Sequence, residues 1–177
     1  MSTSIRAPRR DELGLLREIE RAAGALFADA GLPEVAAHEP ASVEELAAYL
    51  DAGSAWVAVV GDQPVGYALV DVVDEVAHLE QLSVHPDFGQ RGLGASLLAH
   101  VCEWSRQQGF DAVTLTTFEH LAWNAPFYAR HEFETLAEHE LGPELRRLRD
   151  DETRHGLDPR LRVCMRRRLS GGPTAAE

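Results

Sequence analysis

His78 and Glu80 stand two places apart in an apolar run through Leu79, Leu82 and Val84 that ends at Pro86. Alternate side chains of a strand share a face, so an imidazole and a carboxylate project together there, with Leu82 and Val84 continuing the row. Both groups can accept a proton. The same spacing would also serve a packing pair or a solvent-facing pair. Directly beyond lies Gly89-Gln90-Arg91-Gly92-Leu93-Gly94-Ala95, after which Leu93, Leu97, Leu98, Val101 and Ser105 recur at the spacing of an amphipathic helix. A helix opened by glycines aims its first unpaired N–H groups, and the positive end of its dipole, at one spot. Without side chains at Gly89, Gly92 and Gly94 an anion can come close to the backbone. The expected occupant is a phosphate or pyrophosphate. The spacing is not the Gly-x-Gly-x-x-Gly of a dinucleotide turn, and the Gly-Lys-Ser/Thr of a triphosphate loop is absent.

From Glu75 to Phe133 the chain resembles the acyl-CoA-binding core of the GNAT superfamily of N-acyltransferases. The resemblance rests on His78-Leu79-Glu80-Gln81-Leu82-Ser83-Val84, on Gln90-Arg91-Gly92-Leu93-Gly94-Ala95, and on Asn124-Ala125-Pro126-Phe127-Tyr128 ahead of Phe133. The family's usual turn reads Gln/Arg-x-x-Gly-x-Gly/Ala. Here Gly89 stands at its first position, with Gln90 and Arg91 one and two places later. Backbone amides do most of the phosphate binding, so this departure is expected to be tolerated. Glu132 is a second departure, at a place where the family usually has Gly and the backbone is often left-handed.

The resemblance implies an N-acetyltransferase that uses acetyl-CoA as co-substrate, an amine as acceptor and direct attack, since no Cys lies at the matched positions. It implies that Gln90, Arg91, Gly92, Leu93, Gly94 and Ala95 hold the pyrophosphate. Pantetheine would pair with Leu82, Ser83 and Val84, and the Leu82 N–H would polarise the thioester carbonyl. An aliphatic amine is an ammonium at neutral pH and must lose a proton. Glu80 or His78 is expected to take it, with Glu80 first because a carboxylate also attracts the cation. Tyr128 matches a Tyr that lies near the CoA sulfur and acts as general acid; as a plain aromatic it would anchor the core. Asn124 either bonds the pantetheine or caps its helix, and an Asn before Ala-Pro fits the cap. Trp123 and Phe127 fit a core better than an acyl pocket. The rivals are a non-catalytic acyl-CoA-binding sensor and a protein-directed acetyltransferase. A homodimer is left open.

These residues need a scaffold. Ile5–Pro8 reads as a first strand and Asp11–Phe27 as a helix with Leu13, Leu16, Ile19, Ala23 and Phe27 inward. Ser42-Val43-Glu44-Glu45 fits a capping box for a helix reaching Leu50. Trp56–Val60 and Val65–Val73 form a hairpin around Gly61-Asp62-Gln63-Pro64, and Val76–Val84 follows the Asp74-Glu75 turn. Beyond the Leu93–Gln108 helix come a strand over Ala112–Thr117, a short helix over Leu121–Arg130, and strands over Phe133–Glu138 and Leu161–Leu169. The charged stretch from Pro143 to His155 reads as a solvated amphipathic helix or as a lid over the acceptor. Arg166-Arg167-Arg168 reads as edge protection. The expected fold class is α/β, strictly an α+β arrangement in which helices flank a central mixed sheet. The domain is expected to span 1–169, with its acyl-CoA core at 75–133 and a disordered tail at 170–177.

A formal charge of −12, from 17 Lys and Arg against 29 Asp and Glu, argues against nucleic acid and is compatible with cationic acceptors. The first residues carry no apolar run of signal-peptide length, and no stretch approaches a membrane span, so a cytoplasmic protein is expected. Cys102 and Cys164 have no CxxC spacing, and the histidines show no ligand spacing such as HExxH. No disulfide and no metal are expected.

Overall fold

The apolar alternation between Ala55 and Val73, broken at Gly61-Asp62, folds as a hairpin in the computed structural model, which describes residues 2–170. Strands β2 (Ala55–Val60) and β3 (Gln63–Val73) pair antiparallel, and β1 (Thr3–Arg6) pairs antiparallel with β2. With β4 (Val76–Val84), β5 (Ala112–Phe118), β6 (Glu134–Thr135) and β7 (Arg162–Arg168) they form one seven-stranded sheet in the order β1-β2-β3-β4-β5-β7-β6. β4 runs parallel to β5, and β7 antiparallel to β5, so the sheet is mixed, as the sequence predicts. Packing divides the chain into two units. One comprises the residues up to Val70 with Gln81–Val101, the other Asp71–Glu80 with the described residues from Cys102 onward.

In the first unit, helix α1 (Leu13–Asp29) turns Leu13, Leu16 and Ile19 onto Leu46, Val57, Val59, Tyr67 and Leu69. Each fully buried aliphatic side chain there contributes about 1.5–3 kcal/mol. Glu12, just ahead of α1, is buried against the Arg6 guanidinium at 2.8 and 2.9 Å and also accepts from the Arg9 N–H at 2.7 Å. Helix α3 (Val43–Asp51) starts at the expected box: the Glu45 N–H donates to Ser42 Oγ at 3.1 Å and the Ser42 N–H to the Glu45 carboxylate at 2.7 Å. Between these helices Pro33 opens a short α2 (Pro33–Ala36), because Pro is well placed in a first turn.

The second unit contains the two-residue turn between β3 and β4, where Asp74 and Glu75 both take positive φ, 50° and 64°. Mirror-image hairpin turns require this. Asp74 then reaches helix α6 (Pro143–Arg154), its carboxylate accepting from the Glu144 and Leu145 N–H groups at 2.9 and 3.0 Å. The Asp74 N–H answers by donating to the Glu144 carboxylate. A Cβ at Gly142 would run into the Asp74 carboxylate, so this approach needs a glycine. Toward the other end of α6, Glu152 accepts from the Thr116 hydroxyl and from Arg162, at 3.1 Å for both the Nε and the terminal nitrogen of that guanidinium. The helix is amphipathic, as expected, with Leu145 and Leu148 packed against Val73, Leu141 and Cys164. It is also tied down at both ends.

The short helix expected over Leu121–Arg130 covers only Ala125–Ala129, and β1, β6 and β7 also depart from the sequence reading. β1 lies two residues earlier than expected, where Thr3–Arg6 meets Val57–Val60. β6 keeps only Glu134↔Arg166 and Thr135↔Met165, because Glu138–Glu140 coils into a 3-10 turn. β7 is not an edge strand, since it lies between β5 and β6. Arg166 and Arg167 instead pair with Glu140 at 3.4 Å and Glu132 at 2.8 Å. Among the described residues no helix is long and apolar enough to cross a membrane, and both cysteines are free and buried. From residue 171 on, the expected tail lies outside the described residues.

Candidate active site

In the second unit, parallel pairing sets His78 of β4 opposite Thr114 of β5. Their side chains meet, His78 Nδ1 lying 2.9 Å from Thr114 Oγ1. The ring is 1% exposed. Burial pushes its pKa down from 6.5 to about 4, although Asp71, Glu152 and Asp74 pull it upward. His78 is therefore a neutral imidazole at neutral pH. Two residues on, Glu80 shares its face as strand alternation requires, with a carboxylate oxygen 3.9 Å from His78 Nε2 and a side chain 43% exposed. The structure thus joins a solvated carboxylate to a buried, uncharged ring.

The Asn124–Tyr128 pair lies on another element, the short helix α5 (Ala125–Ala129). Asn124 occupies the cap position, but its side chain does not cap. Its Oδ1 instead accepts from Thr117 Oγ1 at 2.8 Å and from the Phe118 N–H at 3.3 Å, which anchors α5 to β5. The side-chain cap expected from the Asn-Ala-Pro sequence is thus replaced by a tertiary contact. Thr117 alternates to the opposite face of β5 from Thr114. Tyr128 is buried edge-to-face between Phe127 and Phe133, with centroids at 5.1 and 5.7 Å, and burial pushes its phenol well above the ordinary value. Phe127 is half-buried, whereas Trp123 is 42% exposed and so does not serve the core expected of it.

The first unit carries the glycine turn. A 3-10 turn over Pro86–Phe88 is capped by His85, whose Nδ1 accepts from the Asp87 N–H at 3.2 Å. Gln90 and Gly92 then take positive φ, 58° and 77°, which swings the chain into helix α4 (Leu93–Gln107). The Ser96 N–H donates to the Gly92 carbonyl at 2.9 Å. That bond opens the helical ladder, so the amides of Leu93, Gly94 and Ala95 precede it and have no partner within the helix. Gln90, Arg91 and Gly92 are exposed, Gly94 and Ala95 half-buried, and the Arg91 guanidinium lies 5.2 Å from the Phe88 ring centroid. Amides without a partner within the helix at its N-terminus suit a phosphate. On the strand before the turn, Ser83 is buried and accepts from Gln81 Nε2 at 2.7 Å, while Leu82 and Val84 are half-buried.

The model of the acetyltransferase (GNAT) family matches residues 19–133, more than half of the 177. This chain belongs to the GNAT acetyltransferase family. A curated relative is the [ribosomal protein bS18]-alanine N-acetyltransferase of Salmonella typhimurium, 29% identical over 89 residues that cover 45% of this chain. The match spans 60% of that relative's own length. Among solved structures, the PaiA N-acetyltransferase of Thermoplasma acidophilum in complex with coenzyme A superposes with a TM-score of 0.69 at 15% identity, over 95% of this chain and 99% of that one. The N-acetylglutamate synthase of Neisseria gonorrhoeae, complexed with coenzyme A and N-acetyl-glutamate, gives 0.72 at 21%, over 97% of this chain and 36% of that one. The Escherichia coli ribosomal-protein-S18-alanine N-acetyltransferase gives 0.68 at 16%, over 99% of both chains. At these identities the superpositions establish the GNAT fold.

Glu132 adopts φ 68°, the left-handed backbone expected where the GNAT family has Gly, and its carboxylate is held by Arg167. Sequence reasoning missed Thr114 and the Thr116–Glu152–Arg162 cluster. Threonines in alternation on an otherwise apolar strand are the one signal that pointed there.

Proposed function

We propose that this GNAT protein transfers an acetyl group from acetyl-CoA to a primary amine of a small molecule or peptide by direct attack. The observation that carries the reading is the Glu80 carboxylate, solvated and 3.9 Å from a ring too buried to be charged. A base that must meet a cationic acceptor needs that combination of charge and access. One N–H bond of the ammonium breaks, and its proton passes to Glu80 directly or through a water. The freed lone pair attacks the thioester carbon, and the Leu82 N–H takes the charge that develops on the carbonyl oxygen. The C–S bond then breaks, and the departing thiolate is protonated by the Tyr128 phenol, which its burial keeps in the protonated form. The nitrogen's second proton restores the phenol. The amides of Gly92 to Ala95, with Gln90 and Arg91, hold the pyrophosphate, while Leu82, Ser83 and Val84 pair with the pantetheine and Asn124 lies beside it.

The name of the Salmonella relative specifies the alanine of a ribosomal protein, which favours a peptide α-amine as one acceptor class. Thiol release from acetyl-CoA, measured across small amines, amino acids and N-terminal peptides, tests the proposal. Amine-dependent release supports it. Acetyl-CoA binding without release for any acceptor would make the protein a sensor. We also propose a cytoplasmic protein without a resident metal.

A further inference from the structure

We infer that Thr114 is a positioning residue: through Nδ1 of His78 it sets which ring nitrogen carries the proton, so that an N–H rather than a lone pair faces Glu80. The inference rests on Glu80 as the base proposed above. Its geometry is local to the second unit. His78 and Thr114 are 1% and 5% exposed, and their 2.9 Å contact follows from cross-strand register.

A neutral imidazole has one donor nitrogen and one acceptor nitrogen. If the Thr114 hydroxyl donates to Nδ1, then Nε2 carries the hydrogen and faces the Glu80 carboxylate. If Nδ1 donates instead, a lone pair is set against a carboxylate 3.9 Å away. The charges acting on the ring are Asp71 on β3, Asp74 in the turn and Glu152 on α6, the last paired with Arg162, while the Glu80 carboxylate on β4 itself lies 3.9 Å from Nε2. Negative charge at Glu80 favours the first arrangement. A distance of 3.9 Å is longer than a hydrogen bond, so the inferred interaction between the Nε2–H and the carboxylate is electrostatic. Depressed basicity keeps the ring in this neutral role. Thr114 thereby helps to orient the proposed base without touching the substrate.

Thr114→Val keeps the shape of the side chain and removes the hydroxyl; Thr114→Ser keeps the hydroxyl. With an accepted amine, kcat in Thr114→Val should fall about 10- to 100-fold, the range for a small misplacement of a reacting group. KM for acetyl-CoA should stay near wild type. The acid limb of the kcat/KM profile should move to higher pH, because the carboxylate loses the N–H that faces it. Thr114→Ser should restore both. Packing alone would lower stability and leave the pH profile in place, and that result would overturn the inference. Nitrogen-15 NMR of the imidazoles gives a readout independent of activity, with His78→Gln identifying the signal. The Nε2–H tautomer is expected in wild type and Thr114→Ser, and a shifted or mixed population in Thr114→Val. A dominant Nδ1–H tautomer in the wild type would overturn the inference even if the enzyme is active. The expected tautomer in a protein inactive toward every amine would remove the catalytic reading and leave the hydrogen bond.

Discussion

At the scale of residues, the contrast between Glu80 and His78 comes from their surroundings. Both project from one face of β4, yet one side chain is 43% exposed and the other 2%. Desolvation makes the imidazole a poor proton acceptor, which is why the carboxylate is the proposed base. Glu80→Gln should therefore lower turnover by about 10²–10⁴ while leaving acetyl-CoA binding unchanged. The loss should shrink at high pH, where more of the acceptor is already the free amine. A pH–rate profile for the variant checks this, and a constant deficit at all pH values would assign the proton to another acceptor.

At the scale of elements, two helix N-termini are used in different ways. The start of α4 follows the positive-φ residues Gln90 and Gly92 and is the proposed anion site, whereas the start of α6 is closed by Asp74. Gly94→Glu adds a side chain and a negative charge in the first turn of α4. Acetyl-CoA affinity should drop by more than tenfold while thermal stability changes little, which calorimetric titration against the folded variant measures. Asp74→Ala removes a cap at long range. Losing such a cap costs about 1 kcal/mol, and amide exchange should speed up in the first turn of α6 before it does elsewhere. Gly142→Ala should act on the same contact by steric means, because its Cβ would displace the carboxylate.

At the scale of the whole molecule, acid sensitivity follows from two buried groups with depressed folded-state values. Glu12 is held at about 2, against an ordinary 4.5, first by its hydrogen bonds from Arg6 and then by the Arg9 N–H. His78 is held at about 4, against an ordinary 6.5, by burial. In both windows the unfolded chain binds more protons, so stability falls as pH falls. The His78 contribution is complete above pH 6.5 and lost toward pH 4; that of Glu12 is complete above pH 4.5 and lost toward pH 2. Urea unfolding at a series of pH values should show both slopes. His78→Gln should flatten the upper window and Glu12→Gln the lower, and Glu12→Gln should also cost about 2 kcal/mol at neutral pH.

Local chemistry carried most of the architecture in the sequence itself. The Ser42–Glu45 box, the β2–β3 hairpin, the span of β4 and the inner stripe of α4 each depend on residues within a few places of one another. Propensity, periodicity and capping act at that range. The face shared by His78 and Glu80 was legible for the same reason, whereas the left-handed backbone at Glu132 was expected from the family resemblance. What the sequence could not specify depends on partners far along the chain. Asn124 gives up its cap because Thr117 and Phe118 offer better-placed donors, and β7 enters the sheet between β5 and β6. Asp74 caps a helix about 70 residues away. His78 is neutral because Thr114 and the strands around it exclude water, and strand alternation alone cannot distinguish a buried imidazole from a solvated one. Proton affinity depends on desolvation and on charges brought near by folding. For that reason the sequence could offer Glu80 and His78 as candidate bases, and only the tertiary structure showed which of the two is buried and which exposed.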